Sequence, residues 1–391
     1  MKKGSESERK YFSDVSAGYS KAAKILFIVM AVYFLITLFF NSKLLTYNNF
    51  SYLLRDLNSA ADLASGNYSS ISYNDDELRV TKSFRGGIIT VSSTDLAIYT
   101  ATGNKTLYVN DSFVSPNVAT SKKYAVVYEL GGKKYSVYNS FARISTGSFQ
   151  YPISGASASD SGWFALTTKD RTHNSVVYLY DDDCRHRNTY SFATKYVFAT
   201  AISGRGHRIA IVLTEPDGEK FSTSVMICEP GKSEKRAEVK ISDGLPYGCT
   251  FTSEGNIQVI CSDGAYLLDG NDGSMLNSYA LKGINISRVS ITPEGTAVAA
   301  SGNLGVASNR IFVFDKKGNM IFETTVEGGM LDMEYGNGYV FVNQSTEVFK
   351  INVKNGEKTR KSTSYDGSDV IIYDGGNILL CCPTKAVYIK F

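Results

Sequence analysis

An aromatic- and glycine-rich composition, one long apolar run near the N-terminus and a recurrence near 40 residues predict an all-β chain. The predicted architecture is an eight-bladed β-propeller closed by an N-terminal strand, preceded by one transmembrane helix and a short amphipathic helix. The 391 residues include 26 Tyr, 21 Phe and 34 Gly against 7 Pro and one Trp, a usage that favours strands joined by tight turns. Apolar and charged fractions of 43% and 20% are those of a folded chain rather than a disordered one.

The net charge of +3 is unevenly placed. Residues 1–24 hold six basic side chains, Lys2 to Lys24, against Glu6, Glu8 and Asp14, which leaves the remainder close to neutral. A neutral domain has no field to gather phosphate backbones, so nucleic acid is not an expected partner.

From Ala22 to Phe40 the chain reads AAKILFIVMAVYFLITLFF, 19 residues with Lys24 as the one charge. At about 1.5 Å per residue this is about 28 Å of helix, close to the thickness of a bilayer's hydrocarbon core. A buried soluble helix would carry polar positions every third or fourth residue, and here Tyr33 and Thr37 are the exceptions. A cleaved signal peptide is the competing expectation, but the run is long and ends Leu-Phe-Phe-Asn-Ser-Lys without a small-residue cleavage site. The reading is therefore an uncleaved, single-pass signal anchor that meets the lipid bilayer through Ala22 to Phe40. Basic residues crowd its N-terminal side, which predicts a cytoplasmic N-terminus and an extracytoplasmic remainder at the cell membrane. The expected organisation is a basic tail over 1–21, the span over 22–40, a juxtamembrane linker over 41–68 and the propeller over 69–391. Within the linker, Phe50, Leu53, Leu54, Leu57, Ala61 and Leu63 recur at helical spacing, which predicts an amphipathic helix over 48–64 ending at Gly66-Asn67.

Beyond the linker two features alternate. One is a strand that ends on a polar residue: Asn110, Asn139, Asp181, Glu229, Asp269, Asp315, Asn352 and Lys390. These span 280 residues in seven intervals, a mean of 40. The other is a small polar turn leading into an alternating strand, as in STDLAIYT from Ser93, SKKYAVVY from Ser121 and SEGNIQVIC from Ser253. Eight turns precede eight polar-ended strands in strict order. A four-stranded sheet of that length has two faces to bury and can bury both only by stacking radially in a closed ring. The last unit has room for three strands, so residues 69–82 are expected to supply its outer strand. Seven blades is the alternative, which requires the first or fourth unit to be misread.

The pattern over residues 69–391 resembles the WD40-like and quinoprotein-like propellers. The likeness rests on turns such as Ser253-Glu254-Gly255-Asn256 and strands such as Ile311-Phe312-Val313-Phe314-Asp315. It departs from both groups. Trp163 is followed by Phe164, so no Trp-Asp pair exists, and the repeated tryptophans of quinoprotein blades are missing. With its anchor and linker the whole chain is similar to membrane-anchored propeller proteins of Gram-positive bacteria that carry no assigned activity. The resemblance implies an architecture and transfers no site residues.

No nucleophile elbow, zincin or phosphate-loop motif occurs. The six cysteines lack metal spacing and none of His173, His186 and His207 neighbours them at ligand distance in sequence, so no zinc site is expected. Most cysteines read as small buried hydrophobes, although Cys249 and Cys261 could face each other as a disulfide. Asp181-Asp182-Asp183 follows a strand and reads as a solvated hairpin turn, and Asp269 to Gly273 reads the same way because the later acidic ligand of a calcium loop is missing. Five Asn-x-Ser/Thr triplets start at Asn67, Asn104, Asn110, Asn285 and Asn343 and matter only in a glycosylating host. Two basic loops, Arg185-His186-Arg187 and Arg205 to Arg208, read as surface loops or as recognition points for an anionic polymer or an acidic protein patch. The expectation is thus a binding or assembly scaffold for proteins or envelope polymers, without catalytic, metal or cofactor residues. The alternative is a hydrolase or redox enzyme with its site at the central channel, where converging Asp, His and Arg would favour it.

Overall fold

The apolar run lies in a single helix, α1 (Lys3–Phe40), that continues through the basic N-terminal segment. The coordinates are a computed structural model and describe residues 3–40, 54, 70–73, 79–100, 102–232, 234–301, 308–365, 367–374 and 376–391. The window Tyr19–Ile36 of this helix is long and apolar enough to cross a membrane. The predicted amphipathic helix over 48–64 lies outside the described residues except at Leu54. The chain divides into two units, Met1–Ser65 and Gly66–Phe391.

The second unit is eight four-stranded antiparallel sheets. In chain order the blades cover 80–109, 116–148, 155–192, 196–242, 246–280, 286–327, 332–362 and 369–389, the last completed by Ile71–Ser72. In each blade the first strand packs beside the first strands of its two neighbours, the eighth beside the first, so these strands form the inner wall of a closed ring. Because strands alternate in direction, one end of the ring carries the turns between first and second strands, here the turn end. The other carries the links by which the chain crosses to the next blade, here the link end.

Hydrophobic burial explains closure. The core is divided among eight clusters, each shared by two adjacent blades. In blade 5, Ile257, Val259 and Cys261 pack towards blade 4, while Ile260 on the opposite face packs towards blade 6. The cluster between blades 8 and 1 joins Ile71, Ile371, Leu379 and Ala386 to Ile88, Ala97 and Tyr99, so no sheet face is left open there. Period-two alternation places both faces in apolar contact, which is why the second strands read as nearly continuous apolar runs.

Five of the recurring polar residues, Asn139, Asp181, Asp269, Asp315 and Asn352, share a structural cause. Asn139 Oδ1 accepts hydrogen bonds from the backbone N–H groups of Phe141 and Ala142, each at 2.8 Å. Asp181 Oδ1 accepts from Asp183 and Arg185 at 2.9 and 2.8 Å, and Asp315 Oδ1 from Lys317 and Asn319 at 2.9 Å each. They terminate third strands by capping the hairpin to the outer strand. The small polar turns cap similarly: Ser121 Oγ accepts from Lys123 and Tyr124 at 3.3 and 3.0 Å.

Two expectations are corrected in detail. In blade 1 the predicted unit runs one strand late, because Leu96–Tyr99 and Lys105–Val109 are the third and outer strands. Ser92 caps the turn between second and third strands there, accepting from Thr94 and Asp95 at 3.2 and 3.0 Å, and so imitates the turn that elsewhere precedes the second strand. The first turn of blade 1 is instead Arg85-Gly86, both at positive φ. The closing segment is also shorter than 69–82. Ile71 and Ser72 pair with Ala386 and Lys385 at the outer edge of blade 8, whereas Val80 onwards begins the inner strand of blade 1.

All six cysteines are free thiols. Cys249 lies opposite Val259 and Cys261 opposite Pro246, and both pack in the cluster between blades 4 and 5. Burial pushes each thiol up to about 12, as expected of small hydrophobes.

Candidate functional site at the ring axis

A ring of inner strands leaves an axial channel, and two cavities along it are lined by ionisable side chains. At the turn end a cavity of about 900 Å³ is lined from blades 2 to 6, by residues including Lys122, Asp160, Arg205, His207, Glu254 and Glu294. Its charges are largely engaged. Lys122 Nζ pairs with Asp160 at 2.8 Å, and Lys316 Nζ stands 3.7 Å from both Glu254 and Glu294. Arg208 donates to the Gly270 carbonyl at 2.9 Å, and Arg205 and His207 are exposed. The turn that carries them needs Gly206, whose φ is +71° and where a Cβ would stand 2.6 Å from the Trp163 ring.

A second cavity, of about 390 Å³, is bounded by blades 1, 2, 6, 7 and 8. Asp332 and Glu334 reach it from the inner strand Asp332–Gly336, Asp369 from the start of Asp369–Asp374, and Lys82 from Val80–Phe84. Ser290 of blade 6 donates its hydroxyl to Glu334 Oε2 at 2.9 Å and accepts from the Tyr335 N–H at 3.0 Å. Asp332 Oδ2 accepts from the Val370 N–H at 2.8 Å, which ties blade 7 to blade 8. Burial pushes the Glu334 carboxyl up to about 7, against the opposing Ser290 hydrogen bond and the Lys82 charge, while Asp332 adds to the rise. Asp332 is itself raised by burial. A carboxyl in that range can hold or release a proton near neutrality, or accept a cation in place of the proton. No histidine lines this cavity.

The residues singled out in the sequence fall elsewhere. Asp181, Asp182 and Asp183 bring carboxylate oxygens within 4.8 Å of one another and are the one such group of three among the described residues. Asp181 caps its hairpin and receives Arg187 Nε at 2.6 Å, and Asp182 pairs with Lys123 at 3.2 Å. Arg185 to Arg187 therefore belong to the hairpin joining the third and outer strands of blade 3, away from the axis. Asp269 Oδ1 caps its own turn, accepting from Asn271 at 2.6 Å. Of the two basic loops, only Arg205 to Arg208 lies at the channel. Asn343 is 1% exposed and its amide donates to the Gly367 carbonyl at 2.7 Å, so its triplet is closed to modification.

Sequence reasoning did not single out Asp332, Glu334, Asp369 or Lys82. They sit in three short strands far apart in the sequence, and only the closed ring brings blades 1, 7 and 8 together. The available signal was Asp-x-Glu on one face of an inner strand.

A family model described as a family of unknown function, DUF5711, matches residues 65–390. The chain belongs to that family. No curated protein matches the sequence. Among solved structures it is similar to BamB from Moraxella catarrhalis, with a TM-score of 0.56 at 12% identity over 83% of this chain and 99% of that one. It is similar to the C-terminal WD40 domain of Sif2, with a TM-score of 0.57 at 11% identity over 83% and 97%. It is also similar to Chaetomium thermophilum Sqt1 bound to the N-terminus of the ribosomal protein L10, with a TM-score of 0.59 at 12% identity over 83% and 100%. At these identities the likeness is one of fold, and it agrees with the WD40-like resemblance of the sequence.

Proposed function

We propose that this DUF5711 member is a membrane-anchored scaffold, with its N-terminus cytoplasmic and its propeller extracytoplasmic, that docks proteins or envelope polymers. The tail, span, linker and propeller divide at 21, 40 and 68. The observation that carries the reading is the exposed apolar helix on the same chain as a closed ring with cavities at its axis. Ile25, Leu26, Phe27, Ile28, Phe34 and Leu35 are each at least 60% exposed, an apolar surface that water would expel and lipid would cover. A rigid ring held beside a bilayer presents its loops without needing chemistry of its own. Sqt1, bound to a segment of another protein, is the precedent for such use of the fold.

Two measurements test the proposal. A membrane-impermeant maleimide applied to intact cells should label a Val114→Cys variant, at a site 79% exposed, and leave Tyr11→Cys unlabelled. The reverse pattern overturns the orientation. Crosslinking in intact membranes should recover one reproducible partner with the full chain, and recovery of none counts against scaffolding.

A second reading, a channel enzyme, draws on Glu334 beside Asp332 in the smaller cavity. It requires hydrolytic or redox turnover that Glu334→Gln abolishes without loss of folding. A variant with full turnover removes it.

A further inference from the structure

Three adjacent inner strands carry the same irregularity near their link ends. In blade 4, Val197 pairs with Leu213 and Ala199 with Val212, so Phe198 is an inserted residue without a partner across the ladder. In blade 5, Pro246 pairs with Cys261 and Gly248 with Ile260, which leaves Tyr247 inserted. In blade 6, Ile286 pairs with Ala300 and Arg288 with Ala299, which leaves Ser287 inserted. A bulge at one level in three neighbouring strands re-aims side chains that would otherwise pack between sheets. Phe198 is 54% exposed and Tyr247 45%, and neither belongs to any interblade cluster. Tyr196, 53% exposed, stands beside Phe198 on the same strand. A packed ring has no use for these aromatics on its own account.

The same end of the ring continues from aromatic to acidic. Arg288 of blade 6 donates from Nε and Nη2 to the Leu331 carbonyl at 3.2 and 3.1 Å, and from Nη1 to its neighbour's carbonyl at Ser287. Leu331, 41% exposed, precedes Asp332, whose carboxylate holds the Val370 N–H beside Asp369. The arc across blades 4 to 8 is thus an exposed aromatic shelf, then an arginine occupied with backbone carbonyls, then carboxylates at the smaller cavity. Burial of Asp332 and Glu334 without a full complement of positive charge leaves them to gain from an arriving cation.

We propose that this link-end arc is the docking surface for an extended peptide segment of a partner protein, one that carries apolar side chains at one end and basic side chains at the other. This deepens the scaffold reading and rests on it. The apolar side chains lie on Phe198 and Tyr247, where aromatic area anchors a segment at small entropic cost. A lysine or arginine reaches the Asp332 and Asp369 carboxylates, and charge complementarity sets the direction in which the segment lies.

The test uses the full chain in phosphatidylcholine nanodiscs and a fluorescein-labelled decapeptide of five leucines followed by five lysines, read by anisotropy against empty nanodiscs. The wild type should bind it, and a peptide with glutamate for lysine should not bind. The double variant Phe198→Ser, Tyr247→Ser should weaken binding at least tenfold and Asp369→Asn about threefold, since these exposed positions are replaced without opening a core. Unchanged thermal melts show that the variants fold. Binding equal to the wild type in the double variant, binding of the glutamate peptide, or no binding above empty nanodiscs overturns the proposal. A shift from dimer to monomer in the double variant overturns it in favour of a second copy as the occupant. Crosslinking separates this assignment from the broader one. A partner captured equally by the double variant removes the arc and leaves scaffolding, whereas no partner with the wild type removes scaffolding.

Discussion

Ile71 lies directly opposite Ala386 in antiparallel register, which places one of the first strand residues of the ring against its last strand. The joint is reinforced by the Tyr73 N–H bonding the Thr384 carbonyl at 2.9 Å and the Tyr73 hydroxyl donating to the Cys382 carbonyl at 2.8 Å. Ile71 is 1% exposed and packs into the cluster between blades 8 and 1, so it fills the seam at which the ring would open. Ile71→Ala should lower the unfolding free energy by about 3 kcal/mol, from lost burial plus the cavity left behind. Ser72→Ala, at an exposed position, should change it by less than about 0.5 kcal/mol. Equal effects in denaturant titrations of the full chain would show that the seam carries no special share of stability.

The hairpin caps are structural, and their removal should be felt as stability alone. Asp315→Ala strips two backbone N–H groups of their acceptor and should cost about 1 kcal/mol, within the range of a lost side-chain cap. Partner recovery by crosslinking should be unchanged. A variant that keeps its melting temperature but loses its partner would make Asp315 a contact residue.

These two kinds of residue differ in how far they could be read in advance. Caps such as Asn139, Asp181 and Asp315 repeat because each hairpin needs an acceptor at one position, so local chemistry writes itself into the sequence at the blade period. Closure was legible because the last unit has room for only three strands and so needs a fourth from elsewhere in the chain. The closing strand's length was not, since residues 69–82 read as one strand-like segment and only pairing separates Ile71 from Val80. Blade 1 was misphased because Ser92 performs at the second turn what Ser121 performs at the first turn of blade 2. The axial site was invisible for another reason. Lys82, Asp332, Glu334 and Asp369 are far apart in the chain and share no motif, and the bulges at Phe198 and Tyr247 are properties of pairing rather than of composition.

Asp111 fastens the link between blades 1 and 2. Its carboxylate is buried, receives the Tyr138 hydroxyl and the Lys134 ammonium, and has Arg143 Nη1 at 3.4 Å. Burial alone would raise its pKa, but the hydrogen bonds from Lys134 and Tyr138 and the nearby positive charges outweigh it and hold the group below the usual carboxylate range. A depressed carboxylate adds stability above the unfolded-state pKa and loses it as pH falls through the folded one. Asp111→Asn should therefore cost about 2 kcal/mol at pH 7, with the difference from wild type narrowing below about pH 4. A difference independent of pH would mean that shape, not charge, holds this link.

Glu334 has the opposite sign. Its carboxyl is pushed up to about 7 by burial in the channel wall, with Asp332 and Asp369 disfavouring its charge and Lys82 and the Ser290 hydroxyl favouring it. The unfolded chain releases this proton near pH 4.3 while the folded ring retains it until about 7, so folding loses stability between those values and none further above. The full shift corresponds to about 4 kcal/mol, and partial access to channel water lowers the expected figure to about 2 kcal/mol. Glu334→Gln keeps an acceptor for Ser290 and removes the ionisation. It should leave stability nearly unchanged at pH 4 and raise it by about 2 kcal/mol at pH 8, read from denaturant midpoints at the two pH values. The same gain at both values would mean that the glutamine packs better and that Glu334 does not titrate near neutrality. A loss at pH 8 would mean that the ionised carboxylate is stabilised by a cation in the channel.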